Sequence, residues 1–284
     1  MFHPLRYILD RTVRSGHLNV VGANGRSYGF GDRSGVPVGV RIADRRTGVG
    51  CDQLLILEPA RNGAAARLVI RNADGGEVSA CGNGARCIAS LLMKESGAPT
   101  LSIETAAGPI RAAARPGDRI EVDMGPALFD WRAIPLSHEI ADTSHLPVSV
   151  GPLSDPVGLS IGNPHAVFFV PDAGTVEIAR WGPQIERHPL FPERANVEVC
   201  TVLARGRIRM RVWERGVGVT QACGSGACAS LVAAARRGLA ERKAELILDG
   251  GGLDIEWREA DGHVLMTGPV ATSFSGTLDP SLLG

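Results

Sequence analysis

Two cysteine-containing turns of nearly identical sequence carry the clearest chemical potential in this chain. Cys81 stands in the segment ACGNGARC and Cys223 in the segment ACGSGAC. Each turn opens into an alanine-rich apolar run, residues 85–94 and 227–240, that predicts a helix. Each thiol should therefore lie beside a helix N-terminus, where free backbone N–H groups and the helix dipole stabilise a thiolate or a carboxylate.

Two thiols on opposite sides of one carbon atom can racemise or epimerise it. One thiolate removes a proton from one face, and the other thiol returns a proton to the opposite face. A free thiol has a pKa of about 8.5, and a helix N-terminus is expected to lower that pKa enough to give a useful thiolate fraction at neutral pH. The carbanion would push charge onto an adjacent carboxylate, which backbone N–H groups can stabilise. The N–H groups expected to do so belong to Gly82, Asn83, Gly224 and Ser225.

This chemistry requires no cofactor and no metal, and we expect neither. None of the cysteine spacings is Cys-x-x-Cys, the spacing typical of zinc sites. The second cysteine of each turn, Cys87 or Cys228, lies six or five residues beyond the first, an offset that points away from the site on a helix. We expect these two thiols to pack as small apolar groups.

The turns belong to a wider internal repeat. Cys81 and Cys223 are 142 positions apart, and the same offset carries Asn72 onto Glu214. With the register slipped by two, the alternating run 67–71 matches 207–211, so each half predicts a strand, a glycine turn, a helix and further strands.

The predicted elements divide the chain into two domains. We place these at residues 1–130 and 150–284, with an irregular, proline-dotted linker at about 126–156. Further predicted strands include 20–21, 36–40, 101–104, 110–114 and 119–124, the apolar runs that end at Leu57 and Val170, and the alternating residues after Asn196.

Composition excludes several classes of partner. The 284 residues contain 30 Lys plus Arg and 30 Asp plus Glu, so no net field attracts nucleic acid or an anionic membrane. A small zwitterionic molecule suits this balance. The sequence has no membrane-spanning apolar run and no signal-peptide pattern, and its six cysteines are too few for a disulfide scaffold. We therefore expect a cytoplasmic protein with reduced thiols.

Five polar residues near predicted strand ends are candidates for the site, and four of them have a plainer alternative. Gln53 follows Asp52 and could simply close a turn, and His165 could be a packed or solvated histidine. Asn196 occupies a place in the second half that echoes Gln53 in the first. Glu214 and Arg215 could form a solvated surface pair, but Asn72 stands at the equivalent point before the first cysteine turn.

Seven motifs together resemble the diaminopimelate epimerase family, within the cofactor-independent two-cysteine epimerases and racemases. They are GCDQLL (50–55), NADG (72–75), ACGNGARC (80–87), GNPH (162–165), PERAN (192–196), ERG (214–216) and ACGSGAC (222–228). The resemblance extends from about residue 48 to the C-terminus. It implies an α/β (α+β) fold of two pseudo-symmetric domains, each a β-barrel-like sheet around a central helix, with the substrate in the cleft between them. It also implies interconversion of LL- and meso-diaminopimelate in lysine and cell-wall synthesis.

The resemblance further implies individual roles. Cys81 and Cys223 would be the two acid/base residues, and His165 and Glu214 would tune their protonation. The substrate would be bound by Asn19, Gln53, Asn72, Gly82, Asn83, Asn163, Asn196, Glu214, Arg215, Gly224 and Ser225, several of which would read its distal amino acid end.

Three positions depart from the family pattern. Residues 15–21 replace a glycine-rich Gly-Asn-Asp-Phe segment and keep at best its asparagine, as Asn19. Val219 stands in place of a glutamate before the second cysteine turn. Phe274 stands in place of a tyrosine associated with dimerisation. We expect a homodimer, and this substitution bears on that expectation.

Three alternatives stay open on the sequence. The first is a racemase of another amino acid on the same fold, which would leave Asn72, Asn196 and Arg215 unpaired. The second is an isomerase or dehydratase that uses other acid/base groups, although such an enzyme need not keep both cysteines. The third is a non-catalytic protein in which the two thiols form a redox switch.

Overall fold

The structure is a computed structural model that describes residues 17–21, 38–60, 62–78, 82–272, 274 and 276. The chain forms two compact units. The first unit ends at Val122 and includes the chain again from Pro269, and the second unit is Asp123–Gly268. In the described residues, no helix is long and apolar enough to cross a membrane.

The first unit is built on a mixed sheet in the strand order β1-β2-β3-β5-β6-β7, with β4 paired to β3. Its strands are β1 (His17–Val21), β2 (Gln53–Glu58), β3 (Ala66–Asn72), β4 (Glu77–Val78), β5 (Thr100–Thr105), β6 (Gly108–Arg115) and β7 (Arg119–Pro126). Its helices are α1 (Val38–Ala43) and α2 (Gly82–Ser96). Helix α2 lies against β5 and β6.

The second unit has a sheet in the order β17-β16-β15-β13-β12-β11-β10, with β14 paired to β13 and a separate hairpin β8-β9. Its strands are β8 (Ser149–Val150), β9 (Leu153–Ser154), β10 (Val157–Ser160), β11 (Pro164–Phe169), β12 (Asn196–Ala204), β13 (Arg207–Glu214), β14 (Gly218–Thr220), β15 (Lys243–Leu248), β16 (Gly251–Trp257) and β17 (His263–Pro269). Its helices are α3 (Ile178–Glu186) and α4 (Gly224–Arg236), with a 3-10 turn at Ala173–Thr175.

The two units repeat one succession of strand pairings. In the first, β1 runs parallel to β2, β2 antiparallel to β3, and β3 antiparallel to β4, after which α2 leads to β5, parallel to β3. In the second, β11, β12, β13 and β14 pair in the same senses, and α4 leads to β15, parallel to β13. Three antiparallel strands follow in each unit, β5-β6-β7 and β15-β16-β17. The internal repeat read from the sequence is thus also a repeat of topology.

Helix α4 is the centre of the second unit. It packs against six strands, β10 to β13, β15 and β16, and its alanines at positions 227, 229, 233 and 234 are fully buried. A helix surrounded by strands needs small side chains, because the backbone of the sheet approaches it closely. The predicted two-domain α+β fold class is confirmed.

Both predicted helices begin later than the observed ones. The runs 85–94 and 227–240 were expected to start after the glycine turns, whereas α2 starts at Gly82 and α4 at Gly224. The glycine turns therefore form the first helical turns themselves. Helix α4 also ends earlier than expected, at Arg236, because Gly238 adopts a φ of +67° that closes the helix.

The prediction of a strand at residues 36–40 is wrong. Residues from Val38 onward form α1, although β-branched valines favour strands. The helix buries Ile42 and Ala43, and Gly39 lies close to the Leu54 side chain of β2. Burial against other parts of the fold therefore outweighs the strand propensity of the valines in this short segment.

Residues 127–156 are mostly irregular, as expected, but they do more than connect two domains. This segment belongs to the second unit and supplies five side chains to its hydrophobic core. They are Ile134, Leu136, Leu146, Val148 and Leu153. The two domains predicted at 1–130 and 150–284 stay a proposal that is based on the sequence repeat. The compact units of the structure have different boundaries.

Candidate active site

The first-unit side of the predicted site is the N-terminus of α2. Cys81 lies outside the described residues, and α2 begins at the next position, Gly82. Gly82 and Asn83 are buried. Among the described residues, the amide oxygen of Asn83 finds no hydrogen-bond partner. The helix start therefore offers both backbone N–H groups and an unused polar side chain to a ligand.

Gln53 and Asn72 of the first unit lie side by side. They face each other in the antiparallel register of β2 and β3, and Gln53 Nε2 donates to Asn72 Oδ1 over 3.1 Å. Both side chains are half-buried. The structure therefore brings together two residues that the sequence assigned to one site from positions 19 residues apart.

The register of β1 gives the place of Asn19. It lies opposite Leu55 of β2, two positions along from the pair His17 and Gln53. The side chain of Asn19 is outside what the structure describes, and so is the start of the atypical segment 15–21. Its role in binding stays a prediction.

Cys223 caps α4 in the second unit. It has an extended backbone (φ −130°, ψ 112°), and its sulfur accepts a hydrogen bond from the Gly226 N–H at 3.4 Å. Ser225 Oγ lies 3.5 Å from the same sulfur. The thiol thus occupies the position where a side-chain acceptor satisfies a free helix N–H group.

The expected lowering of the thiol pKa is wrong for Cys223. Burial raises its pKa well above the ordinary value, and the negative charges of Glu214 and Glu198 raise it further. The hydrogen bonds from Ser225 and Gly226 act in the opposite direction and do not outweigh these causes. Cys223 is therefore a protonated thiol at neutral pH, the form that donates a proton.

Glu214 and Arg215 stand at the end of β13, next to the cysteine turn. Glu214 accepts a short hydrogen bond from the Thr220 hydroxyl group, which orients its carboxylate. Arg215 is exposed, and its guanidinium donates to the backbone carbonyl of Glu193 over 3.2 Å. Arg215 is therefore available to an anionic ligand, as its predicted role requires.

His165 is fully buried at the start of β11 and belongs to a chain of polar contacts that ends at Cys223. Its Nε2 lies 2.9 Å from Asn163 Oδ1, and Asn163 Nδ2 donates to Ser225 Oγ over 3.3 Å. Ser225 in turn contacts the Cys223 sulfur. Three predicted site residues are thus connected to the thiol.

Asn196 is a predicted substrate-binding residue whose side chain already makes two hydrogen bonds within the protein. It is buried, its Nδ2 donates to the Pro164 carbonyl over 3.0 Å, and its Oδ1 accepts from the Arg215 N–H over 3.0 Å. It therefore joins β11 to the Glu214–Arg215 turn. One Nδ2 hydrogen remains for a ligand.

The sequence interpretation missed two buried carboxylates, Glu198 and Glu186. Glu198 lies in β12 and contacts His165 Nδ1 at 2.7 Å. Glu186 ends α3 and accepts hydrogen bonds from Trp213 Nε1 at 2.7 Å and from the Gly216 N–H at 2.9 Å, which holds the turn beside Arg215. A charged residue inside the apolar run of β12 was a signal for Glu198, whereas Glu186 had none.

The structure also describes the second cysteine of each turn and two positions that depart from the family pattern. Cys87 and Cys228 are fully buried within α2 and α4, as a packing role predicts. Val219, which replaces a glutamate, is exposed on β14, and Phe274 is also exposed. Among the described residues, no cluster of three or more potential metal ligands occurs.

Comparison with known proteins decides the family. The profile of the family described as "Diaminopimelate epimerase" matches residues 34–129 and 158–273. The chain belongs to the diaminopimelate epimerase family. The resemblance carried by the seven motifs is thereby confirmed.

Individual relatives agree with this membership. A diaminopimelate epimerase of Rhodospirillum centenum is 57% identical over 85% of this chain and 83% of its own length. The enzyme of the same name from Acidiphilium cryptum is 54% identical over 86% and 87%. A solved "Predicted Epimerase" from Pseudomonas aeruginosa has a TM-score of 0.66 and 20% identity, covering 97% of this chain and 99% of that chain. At that identity the solved structure supports the fold alone.

Proposed function

We propose that this protein is a diaminopimelate epimerase, an isomerase that interconverts LL- and meso-diaminopimelate in lysine and peptidoglycan synthesis. Family membership and the identity to enzymes of that name support the substrate. The position of Cys223 supports the two-thiol mechanism most directly. Its protonated sulfur lies at the N-terminus of α4, beside Ser225 and within the field of Glu214.

In this proposal one cysteine, as the thiolate, takes the α-proton of the substrate, and the other cysteine returns its own proton to the opposite face. Cys223 in its protonated form is suited to the second step. Cys81 would supply the first. In the reverse direction the two cysteines exchange roles, because each turnover leaves the proton acceptor protonated and the proton donor deprotonated.

Backbone N–H groups at the two helix starts would hold the carboxylate next to the reacting carbon. Gly82 and Asn83 begin α2, and Gly224 and Ser225 begin α4, so their N–H groups lack partners four residues earlier in the helix. Negative charge that moves from the α-carbon onto the carboxylate would be stabilised there without reorganisation. No step in this sequence needs a cofactor.

The distal amino acid end of the substrate would meet Asn72, Asn163, Asn196 and Arg215. Arg215 is exposed and cationic, which suits the distal carboxylate. Gln53 shares a hydrogen bond with Asn72 and would help to position it. Asn19 belongs to the same proposed set.

The proposed compartment is the cytoplasm, and the proposed assembly is a homodimer. All five cysteines in the described part of the chain are free thiols, which suits a reducing compartment. The homodimer rests on the family resemblance and is tested by the sedimentation coefficient of the purified protein.

The deciding experiment follows solvent deuterium into the substrate. Purified protein in D2O should epimerise LL-diaminopimelate and place deuterium at its α-carbon, whereas amino acids with a single carboxylate should react poorly. Cys81→Ala and Cys223→Ala should each lower epimerisation by about 100- to 10,000-fold, the usual contribution of an acid/base group. Cys87→Ala is the matched control and should change turnover little. Full activity in either of the first two variants would refute the two-thiol mechanism.

A further inference from the structure

We infer that Glu198 is a positioning residue that adds to burial in disfavouring the thiolate of Cys223, so that Cys223 is the proton donor of the resting enzyme. The inference rests on the proposed function, which gives Cys223 an acid/base role. It adds a residue that neither the motifs nor the resemblance assigns. It also assigns the acid role to a particular thiol.

The first observation is the space that the two groups share. A Cβ atom built on Gly226 would lie 2.7 Å from Glu198 Oε1 and 3.3 Å from Cys223 Sγ. A glycine at this position therefore leaves no side chain between the carboxyl group of β12 and the sulfur. Glu198 is fully buried, so water does not screen the interaction.

The second observation is how Glu198 is held in place. Its Oε1 lies 2.7 Å from His165 Nδ1, and both side chains are completely buried. The other ring nitrogen of His165 lies 2.9 Å from Asn163 Oδ1, an acceptor, so Nε2 carries a proton. His165 is thereby held at both nitrogens, and because Nε2 carries a proton, the contact at Nδ1 needs a second proton, which makes the His165–Glu198 pair neutral overall with its carboxyl end near Cys223.

The arrangement leaves the second carboxyl oxygen as a further source of negative potential. Among the described residues, Glu198 Oε2 finds no hydrogen-bond partner. A thiolate at Cys223 would place a second negative charge beside this buried group, which is costly in an environment of low dielectric.

The groups that act on Cys223 come from three neighbouring strands and from its own helix. Glu214 of β13 and Glu198 of β12 raise the pKa of the thiol in addition to the effect of burial. His165 of β11 contacts Glu198 directly and offsets part of the charge of its carboxyl group. Ser225 and the Gly226 N–H lower the pKa, but they are neutral donors at 3.5 and 3.4 Å. Burial and the two carboxyl groups therefore outweigh the two hydrogen bonds.

The test measures the titration of Cys223 directly. In a Cys81→Ala background, the rate at which iodoacetamide alkylates Cys223 is followed against pH by peptide mass spectrometry. Replacing Glu198 by Gln keeps the volume and removes the charge. The alkylation midpoint should then fall by about 1 pH unit, which is less than the roughly 2 units expected for a lone charge at most about 6 Å away at an effective dielectric constant of about 20, because His165 offsets part of the charge.

Glu186→Gln is the matched control, because Glu186 is also a buried carboxylate of the second unit but holds Trp213 and the Gly216 N–H. Its midpoint should stay within about 0.3 pH units of the parent. An unchanged or raised midpoint in Glu198→Gln would overturn the inference. If that variant does not fold, Glu198→Asp withdraws the charge by one methylene and should lower the midpoint by about half a unit, with no drop again counting against the inference.

Activity measurements separate this inference from the proposed function. The measurement is the pH profile of kcat/KM for the Glu198→Gln variant with Cys81 present. In one reaction direction, the high-pH fall in kcat/KM that reports loss of the Cys223 proton should move to lower pH, while KM changes little. A merely structural role would lower activity equally at all pH values. A shifted alkylation midpoint in a protein that shows no epimerase activity would refute the proposed function and the proton-donor role, and would leave only the effect of Glu198 on the titration of Cys223.

Discussion

Asn196 offers the sharpest test of how the second unit is built, because its amide joins two backbone segments. Replacing it by Ala removes the donor to the Pro164 carbonyl and the acceptor for the Arg215 N–H. Both bonds are 3.0 Å long, and the side chain is only 4% exposed. Neither backbone group has a replacement partner within the truncated side chain.

The cost follows from these two unsatisfied groups. A buried polar group that loses its partner costs about 1–3 kcal/mol. The Pro164 carbonyl is buried and should cost the larger part, whereas the N–H of Arg215 lies closer to solvent. Asn196→Ala should therefore lower the free energy of unfolding by about 2–4 kcal/mol. For a domain of roughly this size, that is a fall in Tm of about 5–15 °C.

Urea unfolding of the full chain, followed by circular dichroism, measures this loss as a lower midpoint at unchanged slope. Asn72→Ala is the matched control, because its half-buried amide accepts from the side chain of Gln53 rather than from the backbone. That variant should cost under about 1 kcal/mol. If Asn196→Ala cost less than about 0.5 kcal/mol, or no more than the control, the structural role of Asn196 would be refuted and its amide would be free to bind substrate.

Two further predictions concern charge and pH. Arg215→Ala should lower kcat/KM for diaminopimelate roughly 10- to 100-fold, because the variant loses a hydrogen bond to a charged group. Its Tm should stay unchanged because the side chain is exposed. Unchanged steady-state kinetics would mean that Arg215 does not touch the substrate. Burial raises the pKa of Cys200 to about 12, above the unfolded value of about 8.5. Its stabilising effect is therefore complete below pH 8.5 and is lost as the pH rises towards 12, by up to about 1.4 kcal/mol per pH unit. Urea titrations between pH 9 and 11 should show a shallower loss of stability in Cys200→Ala, and an equal slope would contradict the assigned cause.

Local sequence patterns predicted the elements that need only their own residues. The alanine-rich runs after Cys81 and Cys223 produced helices, and the alternating runs 67–71 and 207–211 produced β3 and β13. Glycine and alanine in these positions act through backbone freedom and small volume, which are properties of the segment itself. The motif set was specific enough to predict the family as well.

Local patterns failed where burial by distant residues outweighed them. The valines of segment 36–40 favour a strand, but Ile42, Ala43 and Gly39 find apolar cover in a helix. The irregular segment 126–156 looked like a linker because its five core side chains are spaced without a regular period. Neither outcome is visible in a window of ten residues.

The sequence by itself predicted which residues form the site, since the cysteine turns, His165, Glu214 and Arg215 all follow from motif and repeat. Only the tertiary structure decided how those residues are charged and held. A helix N-terminus favours a thiolate, yet the sulfur of Cys223 is buried and faces carboxyl groups from β12 and β13. Glu198 is 25 positions from Cys223 and His165 is 58, so no local reading could place them beside it. Desolvation and charge act through space, and the fold alone sets those distances.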